Sequence, residues 1–392
     1  MRKKSKTRTK LLTGRPSDRM TIETLSGLVG TKRLVIKVGS ALLIEGGEAR
    51  SDWLATFAGE IADLRKRGTQ VIVVSSGAIA LGAARLGLTK GGRGSLADAQ
   101  AAASVGQVEL ARLWSEMFGK HDIVAAQMLV TLGDLEDRRR YLNASATLDR
   151  LIEAGAIPVI NENDSVATEE IRFGDNDRLA ARVAQAAQAD AVLLLSDVDG
   201  LYDRDPKQPG AELVATVEGV TPEIIAMATR ESSSGLGSGG MLAKLQAARI
   251  AERAGIALAI INGKHDAPIT EAVNANRGTL FLPQGDENAR KAWLSGRLAP
   301  AGVLSVDEGC TKALANGASL LAAGLTDVEG DFRRGDLVAI FGAKGERLGQ
   351  GLVEYTAAEC RAILGLREEE QAERLGYAPR AAIVHRDHMV RG

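Results

Sequence analysis

The sequence predicts an α/β fold, a mostly parallel sheet sandwiched by helices, followed by a small β-rich barrel domain. Three observations predict it. Apolar runs at residues 34–38, 71–74, 123–126, 157–160, 191–195 and 257–261 are continuous rather than alternating in hydrophobicity, as in strands buried on both faces. Segments of helical spacing separate them, the pattern of a sheet covered by crossover helices. Beyond about residue 285 the chain changes to short runs punctuated by Gly324, Gly330, Gly335, Gly342, Gly345 and Gly349, which suits a small barrel or sandwich.

The elements follow in order. The run 34–38 is rich in β-branched residues and ends at Gly39-Ser40. Over 52–67, Leu54, Phe57, Ala58, Ile61 and Leu64 share one helical face. The strand at 71–74 ends in Ser75-Ser76-Gly77 and a helix follows over 78–86. Residues 97–118 and 141–154 read as further helices. The strand at 157–160 breaks into Asn161, Glu162, Asn163 and Asp164, and Asp175, Asn176 and Asp177 open a helix over 178–188. The strand at 191–195 ends in Ser196-Asp197; helices near 222–230 and 242–254 and the strand at 257–261 complete the pattern. With right-handed crossovers these polar strand endings converge on one edge, where open α/β sheets bind ligands. The expected divisions are a basic, disordered extension (1–30), a catalytic domain (31–285), a second domain (299–380) and a C-terminal tail (381–392).

Composition excludes several classes. A chain of 392 residues with a formal charge of -1 has room for two cores and no overall basic field for nucleic acid. Two cysteines and four histidines make a disulfide framework, a zinc site or a His-rich metal site unexpected. No apolar run reaches the ~18 residues of a membrane span, so a cytoplasmic protein without membrane contact is expected. Residues 1–20 carry Arg2, Lys3, Lys4, Lys6, Arg8, Lys10, Arg15 and Arg19 against Asp18 alone. They lack the apolar core of a secretory signal and read as a basic tail, or as a start placed upstream of Met20.

The glycine-rich run Gly235-Leu-Gly-Ser-Gly-Gly240 matches G-x-G-x-x-G, but a helical segment precedes it and Ile260 stands near the position of the acid that a dinucleotide fold needs. It reads better as a phosphate-covering loop, since Met241, Leu242, Ala243 and Lys244 lead straight into a helix whose first amides favour anions. No P-loop occurs, and His385-Arg386-Asp387 lacks the Asn of a protein-kinase catalytic loop. Lys37, inside an apolar strand beside Gly39, needs an anionic partner if buried; the bland alternative is an edge-strand lysine. Two lysines, glycine loops and several acids suit phosphoryl transfer. Asp175, Asp177 and Asp197 could hold Mg²⁺ through water, orient the lysines or bind a substrate ammonium, and Ser76, Asn161 and Asn176 offer hydrogen bonds to a substrate carboxylate.

The runs Leu34-Val-Ile-Lys-Val-Gly-Ser40, Val74-Ser-Ser-Gly-Ala-Ile-Ala80, Asn161-Glu-Asn-Asp-Ser-Val166, Phe173-Gly-Asp-Asn-Asp177, Leu195-Ser-Asp-Val-Asp-Gly-Leu-Tyr202 and the 235–244 loop appear in order. In this they resemble the bacterial glutamate 5-kinase family of the amino-acid-kinase superfamily. Gly317-Ala-Ser-Leu-Leu, Val328-Glu-Gly-Asp-Phe and Arg334-Gly-Asp-Leu-Val resemble the PUA domain appended to many such kinases. The resemblance implies phosphorylation of the γ-carboxylate of L-glutamate by ATP with Mg²⁺, the first step of proline biosynthesis, with proline as inhibitor and a homo-oligomer, dimer or tetramer. It implies Lys37, Asp177 and Lys244 as catalytic, with Asp177 organising the lysines. Lys37, Ser196, Asp197, Ser238, Gly239, Gly240, Met241, Leu242, Ala243 and Lys244 would bind ATP, and Ser76, Asn161, Asp164 and Asn176 would bind glutamate. No protein metal ligand is implied, Mg²⁺ being expected on the ATP phosphates. Ser196 and Ser40 stand where the family often has Thr, and a hydroxyl is kept at both. The alternatives are a kinase of another carboxylate or a carbamate and, in a different class, an RNA-binding protein acting through the PUA domain.

Overall fold

A computed structural model describes residues 22–166, 175–230, 240–283 and 300–391. A short helix α1 (Leu25–Val29), capped by the Thr24 hydroxyl, opens it, so part of the expected extension is helical and packs Leu25, Leu28 and Val29 into the core. There follow β1 (Arg33–Val38), α2 (Ser40–Leu43), β2 (Ile44–Glu45), β3 (Glu48–Ala49), α3 (Ser51–Lys66), β4 (Gln70–Ser75), α4 (Ala78–Leu86), α5 (Leu96–Gly119) and β5 (Ala125–Val130). Next come α6 (Leu132–Glu136), α7 (Arg138–Glu153), β6 (Ile157–Glu162), α8 (Asp175–Ala186), β7 (Ala191–Ser196) and β8 (Thr216–Val217). Then α9 (Pro222–Arg230), α10 (Met241–Arg253), β9 (Ala257–Asn262), α11 (Pro268–Ala275) and β10 (Thr279–Phe281) complete the first part. No helix among the described residues is long and apolar enough to cross a membrane.

One 8-stranded sheet runs in the order β5-β6-β4-β1-β7-β9-β10-β8. From β5 to β9 all neighbours are parallel, and β10 turns antiparallel against β9. The three-residue β10 was too short to read from sequence. Strand β1 is interior, which disposes of the edge-strand reading of Lys37. The chain leaves β1 for β4 on one side and later returns to β7 on the other, so β1 lies at the reversal of strand order where such sheets hold ligands.

Alternation along β1 divides two cores. Leu34, Ile36 and Val38 pack with Leu54 and Phe57 of α3 and Trp114 and Phe118 of α5. Val35 faces the other way, into a core with Leu179 and Val183 of α8 and Leu245 and Ala248 of α10. The period of two puts Lys37 on the Val35 face, toward α8 and α10.

The C-terminal part comprises β11 (Gly302–Val306), α12 (Glu308–Ala315), β12 (Leu325–Gly330), β13 (Leu337–Phe341), β14 (Arg347–Val353), α13 (Ala357–Ala362), α14 (Glu368–Leu375) and β15 (Val384–Arg391). Its 5-stranded sheet has the order β12-β11-β13-β14-β15, antiparallel except for the β11–β13 pair. Residues 384–391 pair with β14 instead of forming a tail. The polar run His385-Arg386-Asp387 within β15 concealed this edge strand. The two parts meet directly: Leu337 and Leu352 enter the core of the large sheet, and Arg334 donates to the Asn143 carboxamide of α7 while pairing with Glu354 at 2.9 Å.

The crossing of α4 and α5 is unusually close. A Cβ on Gly106 would fall onto the Ala78 carbonyl oxygen, and one on Gly82 onto that of Ala102. Backbone on both sides leaves nothing to yield. Gly106→Ala should therefore destabilise the chain by at least about 1–3 kcal/mol, read as a lowered thermal unfolding midpoint; an unchanged midpoint would contradict this crossing.

Candidate active site

The site is built where β1 ends. Lys37, Asp177 and Lys244 are all buried, Asp177 completely. Asp177 lies in the first turn of α8 and Lys244 in the first turn of α10. Lys37 Nζ stands 2.5 Å from Asp177 Oδ1, and Lys244 Nζ donates to Asp177 Oδ2 at 3.2 Å. One carboxylate thus holds two ammonium groups. Burial pushes the Lys37 ammonium toward losing its proton, Asp177 opposes that only in part, and Lys244 adds repulsion. Burial alone would raise the Asp177 carboxyl, but Lys37 and then Lys244 outweigh it and hold it below the usual carboxylate range. The triad carries a surplus positive charge in a desolvated place, which suits a phosphate group. Gly39 leaves room for one, because a Cβ there would sit 3.6 Å from Lys37 Nζ.

A neutral cluster lies on the β4 and β6 side of β1. Asn176, adjacent to Asp177 on α8, donates to Ser76 Oγ at 2.7 Å and to Asn161 Oδ1 at 3.1 Å. Ser76 follows β4 directly, and Gly77 after it, with φ +119, makes a left-handed entry to α4 that a side chain would resist. Asp164, buried just past β6, lies near enough to Arg93 for their charges to interact. Both amide hydrogens of Asn176 are engaged within the protein, so the expected N–H donation from this residue to a substrate carboxylate is not available in this arrangement.

On the other side of β1, Ser196 ends β7 and lies 3.4 Å from Asp197 Oδ1, and Asp197 acts electrostatically on Lys37. The loop beyond is anchored by Asp199, which accepts from Asn262, Tyr202 and Arg277 at 2.9, 3.0 and 2.8 Å. Gly240 caps α10. Of the expected nucleotide contacts, Ser238 and Gly239 lie outside the described residues; Met241 packs into the core and Leu242 is exposed. Asp175 begins α8, and Ala243 lies within the first turn of α10.

Sequence reasoning missed Gln107 of α5, whose Oε1 accepts from Asn161 Nδ2 at 2.9 Å. It also missed Arg93 beside Asp164. A polar residue on an otherwise ordinary amphipathic helix reads as solvent-facing, so no sequence signal pointed to Gln107. A cleft of about 590 Å³ between the two parts, lined by Arg138, Arg139, Arg182 and Asp336 among others, does not include these residues. Charge, not volume, locates the site.

A desolvated lysine pair at the switch point of a parallel sheet is what a phosphotransferase needs, and the class defined here is a kinase. The model of the amino acid kinase family matches residues 32–262 and that of the PUA domain residues 286–373. The chain belongs to the amino acid kinase family and carries a PUA domain at its C-terminal end. Among its relatives, a protein of Novosphingobium aromaticivorans named glutamate 5-kinase is 66% identical over 91% of this chain and 95% of its own length. Proteins of the same name from Sphingopyxis alaskensis and Zymomonas mobilis are 60% and 53% identical, each over 91% of this chain and over 97% and 91% of their own lengths.

The lowered pKa of Lys37 sets a pH dependence. Its proton leaves at lower pH than that of a free lysine, ~10.4, and the charged form is the one that would bind a phosphate. The kcat/KM for ATP, which reports the free enzyme, should fall as pH rises through that lowered pKa. Lys37→Arg should move this alkaline limb upward, and Lys37→Ala should cut turnover on the order of 10²–10³-fold; a limb identical in parent and Lys37→Arg would contradict the assignment.

Proposed function

We propose that the chain is a cytoplasmic glutamate 5-kinase, which transfers the γ-phosphoryl group of ATP to the γ-carboxylate of L-glutamate and forms L-glutamyl 5-phosphate, the first step of proline biosynthesis. One observation carries this reading: a phosphate-binding Lys–Asp–Lys triad and a neutral hydrogen-bonding cluster meet at adjacent residues of one helix, Asp177 and Asn176. The name shared by relatives of 53–66% identity supports the same substrate.

The chemistry follows from the charges. Asp177 is pinned between two ammonium groups with its proton affinity depressed, so it is a poor general base and a good organiser. A carboxylate acceptor is already ionised at neutral pH and needs no base, which matches the role of Asp177 as organiser. Lys37 and Lys244 neutralise charge on the transferring group as the acceptor oxygen approaches in line with the leaving one. Residues on the β7 side, Ser196, Asp197 and the start of α10, serve the nucleotide. Ser76, Asn161, Asp164 and Asn176 on the β4 and β6 side serve the amino acid. The donor set around Asp177 fits phosphate and offers no cage for a bare cation, and among the described residues no group of three or more His, Cys, Asp or Glu is placed to hold one. Mg²⁺ carried on the ATP phosphates would supply further neutralisation of their charge.

Proline as a feedback inhibitor and a homo-oligomeric state belong to this proposal, as does a second domain that supports the first through α7. A different carboxylate or carbamate acceptor is the alternative within the family, and RNA binding through the PUA domain the alternative outside it.

Hydroxylamine trapping with ATP, Mg²⁺ and a panel of acceptors tests the reading. L-glutamate should give the hydroxamate, with aspartate and carbamate far behind and with inhibition by proline. Folded protein that yields no glutamyl hydroxamate would overturn it.

A further inference from the structure

We infer that Gln107 is a positioning residue for acceptor recognition: it fixes the amide orientation of Asn161, and through it that of Asn176, so that Asn176 offers a carbonyl oxygen to the ammonium group of the acceptor. This rests on the placement of Asn176 in the acceptor site under the proposed function.

The relay has one direction. Gln107 Oε1 accepts from Asn161 Nδ2 at 2.9 Å. That leaves Asn161 Oδ1 to face Asn176, from whose Nδ2 it accepts at 3.1 Å. The second hydrogen on the same nitrogen goes to Ser76 Oγ at 2.7 Å. Asn176 is left with Oδ1, which is buried and has no hydrogen-bond partner among the described residues. A buried acceptor without a donor is unfavourable, and nearly all such atoms in folded proteins are satisfied. An amino-acid ammonium is a charged donor that fits this gap, whereas a dicarboxylate without one leaves it open. Ser76, having accepted from Asn176, keeps its own hydrogen for an acceptor carboxylate. Gln107 thereby separates amino dicarboxylates from plain ones without touching either.

The helix crossing holds Gln107 in place. Its neighbour Gly106 packs its backbone against the Ala78 carbonyl at the α4–α5 crossing, and α4 begins just after Ser76 and Gly77. The two ends of the relay are therefore tied to one rigid contact. Gln107 is half-buried while the next residue, Val108, is 73% exposed, so the glutamine is turned inward by the helix and not by chance of a flexible loop.

The test is steady-state kinetics on the full chain with L-glutamate as acceptor and glutarate, its analogue without the amino group, as competing ligand. Gln107→Leu should raise the glutamate KM roughly 5- to 100-fold, with kcat changed by no more than about threefold, the KM for ATP unchanged and the glutarate Ki nearly unchanged. Gln107→Glu keeps an acceptor for Asn161 Nδ2 and should restore a KM near that of the parent. Gln107→Lys, which presents a donor and reverses the relay, should behave like Gln107→Leu. If Gln107→Leu fails to fold, the contrast between the Glu and Lys variants decides. An unchanged glutamate KM in Gln107→Leu, or equal losses for glutamate and glutarate, would overturn the inference. Asn176→Ala separates the two levels: a raised glutamate KM there with no effect at Gln107 sinks the relay alone, while an unaffected KM in Asn176→Ala sinks the acceptor-site reading beneath it.

Discussion

The structure turns on one carboxylate between two ammonium groups. Asp177 is fully buried and ion-paired to both Lys37 and Lys244. Burying three charges is costly, and removing one partner of such a group typically destabilises by about 3–5 kcal/mol because the others are left uncompensated. Under the proposed function a fourth charge, that of a phosphate, completes the balance. Everything that delivers the three side chains then matters: the interior place of β1, the alternation that aims Lys37 at α8 and α10, and the start of each helix at the sheet edge. The rest of the fold supports that meeting point.

The position of β1 also divides the work. Strands added on the β4 side end in Ser76, Asn161 and Asp164, which are small, neutral or acidic and suit an amino acid. Strands added on the β7 side end in Ser196 and Asn262, and the loop after β7 that carries Asp197 is anchored through Asp199. Helix α8 joins the halves, because Asn176 bonds to Ser76 and Asn161 while Asp177 pairs with Lys37 and Lys244. Under the proposed function a shift of α8 would therefore be felt by both substrates at once. The C-terminal sheet packs against this assembly, with Arg334 against Asn143 of α7 and two leucines in the core shared with α8 and α10.

Much of this is legible in the sequence. Strands buried on both faces announce themselves as unbroken apolar runs, and the residues that end them are conspicuous because they are polar where the run is not. Lys37 stood out for the same reason. Residues that act through another side chain gave no such contrast. Gln107 sits on a long helix among ordinary polar positions, and only the approach of α5 to α4 through Gly106 reveals its target. The antiparallel β10 and the polar β15 were illegible because one is too short to show a period and the other carries His385, Arg386 and Asp387. The polarity of the Asn161–Asn176 relay was also out of reach, since an amide reads alike from sequence whichever end it presents.

Asp177 as organiser of the two lysines is the central requirement of this site. Its most direct test is turnover by Asp177→Asn, which keeps the shape and removes the charge, measured on protein shown to be folded by its thermal transition. Lys37 and Lys244 should then repel each other, and kcat should fall on the order of 10²–10³-fold. A folded Asp177→Asn protein whose kcat stays within a few-fold of the parent would contradict the account.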